Sequence, residues 1–74
     1  MEVEVRLFGG FREGRFRKET LDLSEGTSLR DLLQQLDIPE DQVTVPLING
    51  RNAEFDTKLT AKDVVSFMPA IAGG

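Results

Sequence analysis

Residues 2 to 8 alternate. Val3, Val5 and Leu7 fall on one side of an extended chain, and Glu2, Glu4, Arg6 and Phe8 fall on the other. A period of two predicts a strand with one buried face. Gly9-Gly10 breaks it, and Phe11 to Gly14 reads as a loop. Arg15 to Leu23 then reads as a second strand, with Leu21 and Leu23 on one face, returning antiparallel through a long hairpin. Beyond Glu25-Gly26 the period changes. Leu29, Leu32, Leu33 and Leu36 recur at i, i+3, i+4 and i+7, one face of a helix, while Arg30, Asp31, Gln34 and Gln35 take the wet side. Ser28 and Asp31 have the spacing of a capping box. Pro39 is expected to stop the helix and to push Ile38 into extended backbone, so the helix runs from 28 to about 37.

Val43 to Ile48 reads as a third strand running into Asn49-Gly50, a strong hairpin signal. Pro46 has no N–H to give a neighbour, which predicts that this strand lies at an edge. Arg51 to Phe55 is a short return strand, Leu59 an isolated core plug, and Val64 to Met68 the last strand. In that strand Val65 and Phe67 face one way and Ser66 and Met68 the other. After Pro69 no period remains, so residues 1–69 read as one domain and 70–74 as a flexible tail.

A helix with one leucine face must cover one face of a sheet. Right-handed connections place the last strand parallel beside the first, at the centre. The expected fold is α+β: a β-grasp, or ubiquitin-like, mixed sheet of four to five strands with one main helix on one face. If Val3, Val5 and Leu7 meet the helix, Phe8 and Met68 meet on the open side, where an aromatic and a methionine make a docking spot.

Composition narrows the chemistry. The 74 residues include no Cys and no His. Disulfides are excluded, zinc or iron–sulfur sites are disfavoured, and no Ser-His or Cys-His pair can form. No bound metal or cofactor is expected. The formal net charge of −4 disfavours nucleic acid. There is no apolar run long enough to span a membrane. Met1-Glu2-Val3-Glu4 lacks the features of a signal peptide, so a cytoplasmic location is the expectation. The basic cluster Arg12, Arg15, Arg17 and Lys18 is either a solvated hairpin or a surface for an acidic partner.

Ala70-Ile71-Ala72-Gly73-Gly74 is uncharged and thin. Glycine lacks a Cβ, so such a tail fits a narrow channel. An α-carboxyl group is ionised at neutral pH and is a poor electrophile. Attack of its oxygen on the α-phosphate of ATP would turn it into an acyl-adenylate. A sulfur nucleophile could then displace AMP and leave a terminal thiocarboxylate. That chemistry needs no catalytic side chain in the carrier. The competing reading of the same residues is a solvated chain end.

The segments Val5-Arg6-Leu7-Phe8 with Phe11-Arg12-Glu13, Thr27 to Leu33, Leu47-Ile48-Asn49-Gly50-Arg51, Asp63 to Pro69 and Ala72-Gly73-Gly74, in this order and spacing, resemble the MoaD/ThiS family of sulfur carrier proteins. The ending Phe67 to Gly74 is similar to that of molybdopterin synthase small subunits. The resemblance implies that Gly74, with Gly73, is the reacting end, and that Pro69, Ala70, Ile71 and Ala72 insert into a partner. It also implies that Phe8, Met68 and Asn52 lie on the partner surface. The implied partners are a ubiquitin-activating-type adenylyltransferase using ATP and magnesium, a sulfurtransferase, and the large subunit of molybdopterin synthase. The chain would be a monomer when free and no enzyme on its own. Thiamine or another sulfur pathway, and protein modification through Gly74, are the alternatives. The chain departs from the family pattern in three places. Ala61-Lys62-Asp63 stands where Asp-Gly-Asp is common, Pro69-Ala70 where two prolines are common, and Asn52 where an apolar residue is common.

Overall fold

Strand β1 (Glu2–Leu7) buries Val3, Val5 and Leu7, as the alternation requires. In the computed structural model, which describes residues 1–70, β1 is flanked on both sides. It pairs antiparallel with β2 (Lys18–Asp22), Val3 opposite Leu21 and Arg6 opposite Lys18. It pairs parallel with β5 (Val64–Phe67), Val5 opposite Val65 and Leu7 opposite Phe67. β5 also pairs antiparallel with β3 (Leu47–Ile48), which pairs with β4 (Arg51–Asn52). The described sheet has five strands in the order β2-β1-β5-β3-β4.

Helix α1 (Leu29–Gln35) adds Leu29, Leu32 and Leu33 to the buried cluster of Val3, Val5, Leu7, Val65 and Phe67. One helix on one face of a mixed sheet, with first and last strands parallel at its centre, is the β-grasp. Full burial of a leucine contributes roughly 1.5–3 kcal/mol, and a chain this small, with no cysteine for a disulfide, depends on such burial.

The helix ends show how local sequence sets the boundaries. Ser28 Oγ accepts from the Asp31 amide at 3.1 Å, and the Asp31 carboxylate accepts from the Ser28 amide at 3.1 Å, completing the capping box. At the other end α1 stops at Gln35, before proline can act. Asp37 takes φ 59°, its amide reaches Gln34 O at 3.1 Å, and the Ile38 amide reaches Leu33 O at 3.0 Å. This is a Schellman ending with Asp in the position usually given to glycine.

Several of the strand expectations need correction. β1 ends at Leu7 and β5 at Phe67, one residue early in each case. The second strand begins at Lys18, not Arg15, because Gly9–Arg12 forms a 3-10 turn that buries Phe11 and Gly14 turns at φ 69°. The return strand stops at Asn52, short of Phe55. The third strand is interior, not at an edge. Its paired part is only Leu47–Ile48, so Pro46 sits just outside the ladder, and no donor is asked of it. The Pro46 ring is buried, and its carbonyl accepts from the Ala53 amide at 3.0 Å.

The Asn49-Gly50 turn forms with both residues at positive φ, 53° and 82°. Asn49 also ties the hairpin to β5. Its side-chain oxygen accepts from the Val64 amide at 2.8 Å, and its amide group donates to Asp63 at 3.0 Å. Leu59 is buried as the core plug.

Candidate functional site

The face of the sheet away from α1 carries a continuous row. Lys18 lies opposite Arg6, Arg6 opposite Ser66, Ser66 opposite Leu47, and Leu47 opposite Asn52. Phe8 keeps extended backbone at φ −126° and ψ 157°, and its amide donates to Phe67 O at 3.2 Å. The alternation of β1 and β5 therefore carries on through Phe8 and Met68 and brings both to this face at the same end of the central strands.

Both residues are half-buried. This corrects the expectation of an exposed Phe8. The 3-10 turn folds Arg12 back, so that its guanidinium carbon stands 5.3 Å from the Phe8 ring centroid and its Nε donates to Leu7 O at 2.8 Å. Asn52 and Ala70 are exposed, and Pro69 is half-buried.

Cations crowd this end. Arg6, Phe8, Arg12, Arg17 and Lys18 line one open groove. Arg6 pairs with Glu4. Arg6 and Lys18 nevertheless stand directly opposite on neighbouring strands, an arrangement of like charges that destabilises a sheet unless an anion relieves it. The sequence cluster splits here. Arg15 leaves the group: it donates to the carbonyls of Leu36 at 2.8 Å and Asp37 at 2.9 Å, capping the C-terminal end of α1. Arg6, which the sequence cluster did not include, joins it because strand register brings it beside Lys18.

At the other edge, Val45 is 51% exposed, and it lines a second groove with Pro46, Asn52, Ala53 and Phe55. Nothing in the pattern around Val45 marks it, since a valine inside an apolar stretch reads as core.

Past β5 the chain is held on one flank. Thr44 directs both its amide, at 3.0 Å, and its hydroxyl, at 3.2 Å, to Met68 O. Val43 and Pro69 form an antiparallel bridge, and the Ala70 amide donates to Gln42 O at 2.7 Å. Ile71, Ala72, Gly73 and Gly74 lie outside the described residues.

Among the described residues no group of His, Cys, Asp and Glu side chains could hold a metal ion, and no buried side-chain N or O atom lacks a hydrogen-bond partner. No helix among them is long and apolar enough to cross a membrane. The Ser28 hydrogen bonds hold the Asp31 carboxyl below its ordinary range, and the Glu40 carboxylate raises Arg30.

The ThiS family model matches residues 5–74. No curated protein sequence matches the chain. Among solved structures, the fold is similar to a candidate molybdopterin converting factor, subunit 1, from Pyrococcus furiosus. That likeness has a TM-score of 0.78 at 28% identity, over 96% of this chain and 99% of that one. It is also similar to a chain in the complex of subunits 1 and 2 of molybdopterin-converting factor from Helicobacter pylori, with a TM-score of 0.65 at 28% identity over 100% of both chains. The H. volcanii small archaeal modifier protein 1 matches with a TM-score of 0.75 at 22% identity, over 95% of this chain and 98% of that one, a likeness of fold alone.

Proposed function

The chain belongs to the ThiS family, and from that premise we propose that it is a sulfur carrier whose working group is the carboxylate of Gly74. The observation that carries this reading is the span of the family match, residues 5–74, which includes Gly73 and Gly74. In the proposed cycle a ubiquitin-activating-type enzyme, with ATP and magnesium, joins the Gly74 carboxylate to AMP and releases pyrophosphate. Sulfide from a sulfurtransferase displaces AMP and leaves a thiocarboxylate. The thiocarboxylate sulfur then attacks the acceptor and expels a leaving group there, and water hydrolyses the resulting thioester, so that the sulfur stays on the acceptor and Gly74 returns as carboxylate.

The acceptor we propose is the cyclic pyranopterin precursor of molybdopterin, with this chain as the small subunit of the synthase. Two structural relatives at 28% identity, both described as molybdopterin converting factor components, favour that route over thiamine or protein modification. The H. pylori relative is in complex with its subunit 2, which supports a large-subunit partner here. In this reading the partner docks on the open face over Phe8, Met68 and Asn52, and Pro69 to Ala72 lead Gly74 into it. The Arg6–Lys18 opposition favours a partner with acidic groups facing β1 and β2.

The test is the intact mass of the chain after incubation with an activating enzyme, ATP and a sulfur source. The expected gain is about 16 Da at Gly74, sulfur replacing oxygen. No gain, under conditions where another carrier reacts, rejects the reading. Higher-mass conjugates retaining the chain would instead indicate a protein modifier.

A further inference from the structure

Gly9 follows β1 and Pro69 follows β5, and because these strands run parallel both leave the sheet at the same end. Gly9 has φ 57°, and a Cβ at that position would lie 2.8 Å from Pro69 Cγ and 3.4 Å from Cδ. Real Cβ contacts are not that short, so the proline ring occupies space that only glycine leaves open. Proline in turn fixes its own φ near −65°. On the opposite flank, Thr44 holds Met68 O with two donors, Val43 bridges Pro69, and Gln42 O receives the Ala70 amide. Met68, Pro69 and Ala70 are therefore seated between Gly9 and Gln42–Thr44.

We propose that Gly9 and Gln42–Thr44 form a clamp that sets the direction in which the chain leaves the sheet, and that Gly9 is a positioning residue for sulfur transfer. The proposal rests on the carrier reading. It deepens it by assigning a function to residues that touch neither ATP nor sulfur. Fixing residues 68–70 within the fold means that a partner need not order them on binding, and the reacting end begins its path from a defined point. Small errors at that point matter, because a misplacement of about 1 Å can cost on the order of 100-fold in rate.

Two other glycines supply controls. Gly14 also sits at positive φ, 69°, but a Cβ there meets nothing within 4 Å. Gly10 likewise has open space. Gly9→Ala should lower single-turnover thiocarboxylate formation by about tenfold or more at saturating activating enzyme, and it should speed hydrogen exchange of the Ala70 amide. Gly14→Ala takes the same backbone strain without the collision and should stay within about twofold of the starting chain on both readouts. Gly10→Ala should do the same.

Wild-type transfer in Gly9→Ala, with the variant folded, overturns the clamp. Equal losses in Gly9→Ala and Gly14→Ala also overturn it, since strain alone would then explain both. If Gly9→Ala does not fold, Thr44→Val decides. It removes one bond to Met68 O, and faster Ala70 exchange with slower transfer is the expected result, while no change in either overturns the proposal. If the unmodified chain takes no sulfur, the carrier reading falls first and the clamp falls with it as a positioning device.

Discussion

The Arg12 guanidinium carbon stands 5.3 Å from the centre of the Phe8 ring, while the same side chain holds Leu7 O through Nε at 2.8 Å. One residue thus secures the end of β1 and roofs the aromatic beside it. The face is a charged lid over a ring, not a bare apolar patch, and a partner must displace or join Arg12 to reach Phe8.

On the proposed function, Phe8→Ala should weaken binding of a molybdopterin synthase large subunit at least about tenfold, the scale of a central aromatic anchor. Its cost in stability should be smaller than the roughly 3–5 kcal/mol of a fully buried phenylalanine, because the ring is only half-buried. Titration calorimetry and urea unfolding separate the two. Unchanged affinity in a folded variant would remove this face from the interface. Phe8→Asp is a poorer probe, since the nearby Arg and Lys side chains would accommodate the new carboxylate.

The cations around Phe8 should act mainly on the rate of encounter. Arg17→Glu with Lys18→Glu should slow association with an acidic partner by about tenfold at low salt, and the difference should shrink toward 1 M salt, where the Debye length is about 3 Å. Stopped-flow association across a salt series checks this. Equal rates at low salt would leave the groove a solvated feature of the hairpin.

Regular pattern made much of this architecture legible. The alternation of β1, the leucine face of α1, the Ser28–Asp31 box and the Asn49-Gly50 turn each concern residues close in sequence, where period and capping chemistry decide the outcome. Pro46 does not mark an edge strand because its missing donor matters only inside a ladder, and the ladder begins one residue later. Arg15 and Arg17 are indistinguishable as sequence, yet one caps a helix 21 residues away and the other borders the Phe8 groove. The Gly9–Pro69 contact joins positions 60 residues apart in number, and only the parallel pairing of β1 and β5 brings them together.

Lys62 stands at φ 70°, in backbone that favours glycine, and its amide donates to Glu2 O at 2.7 Å. A side chain in left-handed backbone costs roughly 1–2 kcal/mol, part of which glycine loses again through its freer unfolded chain. Lys62→Gly should therefore stabilise the fold by about 0.5–1 kcal/mol and raise Tm by roughly 2–8 °C. A lower Tm in thermal unfolding would show that the Lys62 side chain contributes more than its backbone costs.

The capping box gives the fold an acid-sensitive component. Hydrogen bonds from Ser28, first from its backbone and then from its side chain, lower the Asp31 pKa, with smaller contributions from Lys58 and Arg30. A depressed carboxyl group adds stability above its unfolded value, about 3.9, and that stability is lost as pH falls through the lower folded value. Asp31→Asn keeps an oxygen for the Ser28 amide but removes the charge. The wild-type chain should therefore be the more stable of the two at neutral pH, by a gap that stays level down to about pH 5 and closes below about pH 4. Urea unfolding of both chains across that range measures the gap. A gap that did not change with pH would mean that the carboxylate's charge contributes nothing at the start of α1, and that Ser28 alone holds the first turn.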